Sequence, residues 1–175
     1  MKKVLIVIDM QKDFIDGVLG TKEAVLIVPK VINKIKEFNG EVIYTRDTHD
    51  EKYLESQEGT KLPVAHCIKG TEGWSLVNGI EELARKSESK IFDKPAFGSM
   101  EMVRYVENLC REEEIEEIEL VGVCTDICVI SNAVLLKSAI PEVKIVVDSS
   151  CCAGVTPESH SNALNAMNMC QIEII

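Results

Sequence analysis

The sequence predicts a three-layer α/β/α domain around a mostly parallel six-stranded sheet, Rossmann-like in kind, and three observations predict it. Short runs that are apolar along their whole length recur through the chain, as strands do when helices cover both faces of a sheet. Segments with helical apolar spacing separate them, which is the alternation of βα units. A chain of 175 residues is long enough for one substantial core and too short to need two, so residues 1–175 read as a single domain.

The first strand is "VLIVID", ending in the carboxylate of Asp9. A helix over residues 24–38 leads to the strand "EVIYTRD", and residues 47–78 then show no obvious regular pattern. A loop of that length inside a compact domain is usually functional or disordered, and this one carries His49, His66 and Trp74. Helical spacing resumes over residues 79–85, before "SKIFDK", and over 100–111, before "EIELVGV". In "REEEIEEIE" the acids read as the solvated end of that helix, with Ile115 and Ile118 facing inward. A helix over 127–138, the strand "VKIVVDSS", a helix over 157–169 and a short last strand in "QIEII" complete the order. Ligands bind beyond the carboxyl ends of the strands in open α/β sheets, so function is sought after Ile8, Thr45, Phe92, Val123 and Val147.

A formal charge of −10 without a basic patch disfavours a nucleic-acid partner. The opening apolar run is too short for a membrane span and lacks a signal-peptide cleavage pattern. No membrane partner and a cytoplasmic location are therefore expected. Seven cysteines, an odd number, then argue for free thiols over a disulfide framework.

Two of them stand in "GVCTDICVISNA". Closed structural zinc wants four ligands, and no second cysteine pair of suitable spacing is present. A disulfide is disfavoured because Cys124 should end a strand while Cys128 begins a helix. Two readings of Cys128 remain. It is a small buried hydrophobe, or, if Thr125 or Asp126 caps the helix, a thiolate stabilised by orphan N–H groups and the helix dipole. Asp9 and Lys94 lie at strand ends on the same sheet edge and could converge with Cys128 as base and cation. The opposing reading makes Asp9 a turn residue and Lys94 a solvated one.

In the long loop, Asp47, His49 and His66 form a reasonable set for a borderline divalent metal, and Glu58 could add an oxygen ligand. The alternative is that these are ordinary hydrogen-bonded loop residues. Zinc, iron and manganese all suit such donors. His160 is read as structural, at the start or outer face of the last helix. Cys67, Cys110, Cys151, Cys152 and Cys170 are read as packing residues, and Trp74 as a loop-core or subunit-contact residue.

Taken together and in order, "VIDMQKDFIDGVLG", "DTH", "HCIKGT", "DKPAFGS" and "GVCTDICVISNA" resemble the isochorismatase-like cysteine hydrolase superfamily, specifically its metal-binding nicotinamidase branch, over nearly the whole chain. The resemblance implies the catalytic roles for Asp9, Lys94 and Cys128, and metal ligation by Asp47, His49 and His66, with Glu58 as the extra carboxylate and zinc as first choice over iron or manganese. It further implies that Phe14 packs near a substrate ring and that the Val123–Cys124 peptide is cis. The backbone N–H groups of Cys124 and Cys128 would form an oxyanion hole. The expected partners are a small-molecule carboxamide and further copies of the chain in a homo-oligomer. The expected activity is hydrolysis of nicotinamide to nicotinate and ammonia through a Cys128 thioester. Another small-amide or carbamoyl hydrolase of the superfamily is the alternative, and a noncatalytic metal-binding module a more distant one, disfavoured because no Gly-rich phosphate loop is present. Two departures stand out: Cys124 holds a position often filled by alanine, and "HDEKYLESQEG" differs from the corresponding segment of many nicotinamidases.

Overall fold

In the computed structural model, which describes residues 2–175, the apolar runs become strands β1 (Lys2–Ile8), β2 (Glu41–Asp47), β3 (Ile91–Lys94), β4 (Ile115–Val123), β5 (Lys144–Ala153) and β6 (Glu173–Ile174). They form one sheet in the order β3-β2-β1-β4-β5-β6, and every neighbouring pair is parallel. From β1 the chain first works outward to β3, then returns to place β4 on the other side of β1. The crevice between β1 and β4 is thus the switch point at which ligands bind in doubly wound sheets.

Helices cover both faces, which is why the central strands are apolar throughout. In β1, Leu5 and Val7 pack on one face with Ile27 and Val31 of one helix and Ile80 and Ala84 of another. Val4, Ile6 and Ile8 pack on the opposite face with Met102, Val106, Leu136 and Met167. This two-residue alternation follows from the strand pleat, and Val4 through Ile8 are all fully buried.

The helices in chain order are α1 (Lys12–Ile15), α2 (Lys22–Glu37), α3 (Gln57–Lys61), α4 (Asn78–Lys86), α5 (Met100–Glu112), α6 (Ile130–Ala139) and α7 (Pro157–Met169). Side-chain caps start several of them, as orphan amino-terminal N–H groups require. Thr21 Oγ1 accepts Ala24 N–H at 3.0 Å, Ser99 Oγ accepts Met102 N–H at 3.2 Å, and Thr156 and Ser159 form a reciprocal capping box on α7. Lys34 fastens α2 to the sheet through Glu119 at 2.7 Å and Asp148 at 2.8 Å. No helix among the described residues is long and apolar enough to cross a membrane.

The structure departs from the sequence expectation in three places. The long loop contains a 3-10 turn (Tyr53–Glu55) as well as α3, both too short for periodicity to register. The helix expected from residue 127 begins instead as a π-turn (Thr125–Val129) that runs into α6. Finally, β5 continues six residues past Val147, with a register irregularity opposite Leu120 and Gly122. Gly122 has φ +123°, and a β-carbon there would collide with the Ile8 backbone; only glycine fits that close approach of β1 and β4. The carboxyl end of β5 is therefore Ala153, which delivers Val155 to the site.

Candidate active site

Asp9 leaves β1 at φ +47°, a left-handed conformation that aspartate tolerates better than most side chains. Its N–H donates to the Thr45 carbonyl at 3.2 Å, and the Thr45 hydroxyl donates to its Oδ1 at 2.7 Å. Lys94 is the last residue of β3, and Cys128 lies in the π-turn after β4. The parallel sheet brings all three together around the Lys94 ammonium. Nζ lies 2.7 Å from Asp9 Oδ2, 3.4 Å from Cys128 Sγ and 3.3 Å from Asp47 Oδ1, and donates to the Ala96 carbonyl at 3.1 Å. Lys94 is 1% exposed and Asp9 0%, so the solvated-lysine reading is excluded.

A buried ammonium ordinarily loses its proton more easily, but the surrounding Asp9, Cys128 and Asp47 outweigh burial and raise the Lys94 pKa. Burial raises the Asp9 carboxyl, with the Lys94 charge opposing. The Cys128 thiol is pushed well above its ordinary value, first by burial and then by the Asp9 charge. Both effects work against the reading in which a helix start stabilises a thiolate. Neither Thr125 nor Asp126 caps the turn, and one turn of dipole does not offset the burial of a sulfur beside a carboxylate.

Asp47, the last residue of β2, joins this triad to a second cluster. Its Oδ2 lies 2.9 Å from His49 Nε2 and 3.5 Å from His66 Nε2, while Glu58 Oε1 is 3.8 Å from each ring nitrogen. One ligand atom from each of the four residues falls within 4.8 Å of all the others. The donor set, two imidazoles and two carboxylates, suits a borderline divalent cation. His66 Nδ1–H donates to the Val64 carbonyl at 2.8 Å, which leaves Nε2 as a lone-pair donor facing the cluster. Burial raises the Asp47 carboxyl, but the adjoining His49 and His66 rings and the Lys94 charge together hold it below the usual range. The 3-10 turn contributes Tyr53, whose ring lies 4.6 Å from that of His49 and 4.8 Å from that of His66. α3 carries Glu58 in its first turn, with Ser56 capping it through Gly59 N–H at 2.9 Å.

Above both clusters opens a cavity of about 520 Å³ lined by Phe14, Asp47, Glu58, His66, Cys124 and Cys128, with Leu19, Leu62, Phe97, Ile127 and Val155 forming its apolar walls. Phe14, on α1, is 8% exposed, and its ring centroid is 5.5 Å from that of His66. The Val123–Cys124 peptide is cis. Each residue singled out in the sequence for chemistry thus lies in or directly beneath one cavity.

Other residues keep a structural place or escaped the sequence reading. His160 does not face outward; it is half-buried, with Nδ1 2.8 Å from Thr125 Oγ1. Trp74 is a loop-core residue: Nε1–H donates to Thr48 Oγ1 at 2.8 Å, and the Arg46 guanidinium lies 3.8 Å over its ring. All seven cysteines are free. Cys151 and Cys152 pack on opposite sheet faces. Gln11 carried no distinguishing signal, although it sits inside "DMQKDF". Fully buried, it grips the Asp47 backbone on both sides: Oε1 accepts Asp47 N–H at 2.7 Å, and Nε2–H donates to the Asp47 carbonyl at 2.8 Å and to that of Trp74 at 2.9 Å. Asp13 accepts the Cys67 N–H at 2.8 Å, which holds the turn after His66.

Comparison with known proteins gives a consistent result. Residues 3–175 match the family described as Isochorismatase domain. A Bacillus subtilis (strain 168) protein named uncharacterized isochorismatase family protein PncA is 38% identical, over 94% of this chain and 93% of its own. The crystal structure of nicotinamidase/pyrazinamidase PncA from Bacillus subtilis superposes with a TM-score of 0.85 at 28% identity, covering 99% of both chains. That of the pyrazinamidase of Pyrococcus horikoshii in complex with zinc does so with a TM-score of 0.79 at 26% identity, covering 100% of this chain and 99% of the other.

Proposed function

The chain belongs to the isochorismatase domain family, and from that premise we propose that it is a nicotinamidase, hydrolysing nicotinamide to nicotinate and ammonia through a thioester on Cys128. The observation that carries this reading is the Lys94 ammonium in contact with Asp9, Cys128 and Asp47 at once, which couples an amide-attacking triad to a metal-binding set on the floor of one cavity.

Asp9 takes the proton of the Cys128 thiol as sulfur attacks the carboxamide carbon, and Lys94 keeps the emerging negative charge compensated. The carbonyl electrons move to oxygen, where the backbone N–H groups of Cys124 and Cys128 stabilise the oxyanion. Collapse breaks the C–N bond, and Asp9 returns the proton to departing ammonia. Asp9 then accepts a proton from water as its oxygen attacks the thioester; the C–S bond breaks, Asp9 returns that proton to the leaving sulfur, and the released acid gives up its own proton to ammonia or solvent as nicotinate. A divalent cation held by Asp47, His49, Glu58 and His66, zinc by first choice with iron or manganese as alternatives, would supply a docking point for the pyridine nitrogen, directly or through water. Phe14 packs against the ring and helps exclude bulk water.

A second reading, hydrolysis of another small amide or carbamoyl compound, is favoured by the cavity volume of about 520 Å³, because an apolar cavity of about 150 Å³ already holds a benzene ring. Ammonia release from the zinc-loaded protein, measured across nicotinamide, pyrazinamide, aliphatic amides and carbamoyl compounds, separates the two. The highest kcat/KM is expected on nicotinamide. Turnover of a carbamoyl compound with none of nicotinamide overturns the first reading, and cation binding without hydrolysis of any of them leaves a binding module.

The Gln11 clamp gives a prediction about the metal. Gln11→Ala removes the two hydrogen bonds on the Asp47 backbone that aims its carboxylate, together with a third to the Trp74 carbonyl, and leaves buried amide groups unpaired. Zinc affinity is expected to fall about 10- to 100-fold, read by competition with a chromogenic chelator. Unchanged affinity would show that the β2 end is held without it.

A further inference from the structure

Thr125 and Asp126 open the π-turn that carries Cys128, and both are tied to the segment after β5. The Asp126 carboxylate accepts the Val155 N–H at 3.1 Å, and Thr125 Oγ1 lies 2.8 Å from His160 Nδ1. Thr125 is fully buried. His160 sits in the first turns of α7, where the Thr156–Ser159 capping box fixes the helix start and its backbone lies so near Gly154 that a β-carbon there would come within 2.9 Å. The imidazole is therefore presented from a rigid support. Burial lowers its pKa against the opposing Asp126 charge, and a neutral ring offers one donor and one acceptor.

We propose that His160 is a positioning residue for the Cys128 nucleophile, acting through its hydrogen bond to Thr125. Thr125 follows Cys124, whose carbonyl accepts the N–H groups of Ile127 at 3.1 Å and Val129 at 3.0 Å. Wherever Thr125 is pinned, the turn that directs both Cys128 Sγ and the Cys124 and Cys128 N–H groups is pinned with it. A π-turn is an uncommon alternative to the α-helix, found most often at functional sites, and tertiary anchors maintain it. Loss of the bond leaves the Thr125 hydroxyl buried without its partner and frees the turn to shift. A displacement of about 1 Å at a reacting atom is enough to cost about 10²-fold in rate.

The inference rests on the proposed role of Cys128, so the experiment has two independent readouts on the full-length, zinc-loaded protein. One is kcat and KM for nicotinamide. The other is the rate at which iodoacetamide alkylates Cys128, followed by peptide mass, which needs no turnover. His160→Leu and Thr125→Val are each expected to lower kcat and the alkylation rate about tenfold, with KM held within about twofold. His160→Asn, whose amide can occupy the Nδ1 position, is expected to stay within about threefold of the parent. The double variant His160→Leu with Thr125→Val is expected to be no slower than either single one, because one shared bond is lost only once.

Losses that multiply in the double variant, or an Asn variant as slow as the Leu variant, overturn the proposal. If the Leu variant does not fold, Thr125→Val decides: a parental alkylation rate sinks the inference and a tenfold slower one supports it. Absence of nicotinamide turnover in the parent protein removes the nicotinamidase reading, while the alkylation readout still decides the role of His160.

Discussion

Cys128→Ala is expected to lower ammonia release from nicotinamide by about 10⁴-fold or more, because it removes the sulfur held beside Lys94 and the residual rate falls to what binding and the oxyanion donors supply. The substitution removes one buried sulfur beside Lys94, so folding and zinc content should persist. Circular dichroism and metal analysis of the same preparation check this. Cys128→Ser keeps an oxygen at the site but asks Asp9 to deprotonate a far weaker acid, and it should also fail to turn over. In the parent enzyme, rapid acid quench with intact-mass measurement should reveal an adduct of nicotinoyl mass on the Cys128 peptide. Normal turnover by Cys128→Ala would end the thioester mechanism, whatever the substrate proves to be.

Lys94→Met is expected to be nearly as damaging to activity and far more so to stability. The ammonium is the cation in contact with both Asp9 and Asp47, and its removal leaves two buried carboxylates without the charge that they share. Breaking a buried pair of this kind costs about 3–5 kcal/mol, so the urea midpoint should fall clearly in equilibrium unfolding. Asp9, whose carboxyl burial already raises, would then hold its proton more tightly and be a poorer acceptor for the Cys128 proton, with kcat reduced by about 10²- to 10⁴-fold. Lys94→Arg should not rescue, since a planar guanidinium cannot replace a compact ammonium in contact with Asp9, Cys128, Asp47 and the Ala96 carbonyl. A Lys94→Met enzyme with parental stability and kcat would show that the charge is dispensable.

The candidate site is unevenly legible in the sequence. Asp9, Asp47, Lys94 and Cys128 are visible because they are polar or nucleophilic residues at the ends of apolar runs, where an α/β sheet exposes its carboxyl edge. His49 and His66 are visible because histidines are scarce in the chain and share one long loop. Gln11 and His160 are not, because their importance lies in partners distant along the chain, Asp47 and Trp74 for one and Thr125 for the other. The π-turn is hidden as well. Its residues have ordinary helical composition, and its geometry follows from the straps on Thr125 and Asp126.

What the sequence by itself determined is the order of strands and helices, the faces that they bury, and the identity of the groups able to do chemistry. Apolar periodicity and strand-end polarity are local properties, written within a few residues of each other. Only the tertiary structure decided that one ammonium would touch Asp9, Asp47 and Cys128, that Asp47 would link this cluster to the candidate metal ligands, and that burial and the Asp9 charge would push the Cys128 thiol pKa up. Those outcomes depend on burial and on groups brought together at the carboxyl ends of four different strands, and the free energy of an ionisable group is set by the atoms around it in space.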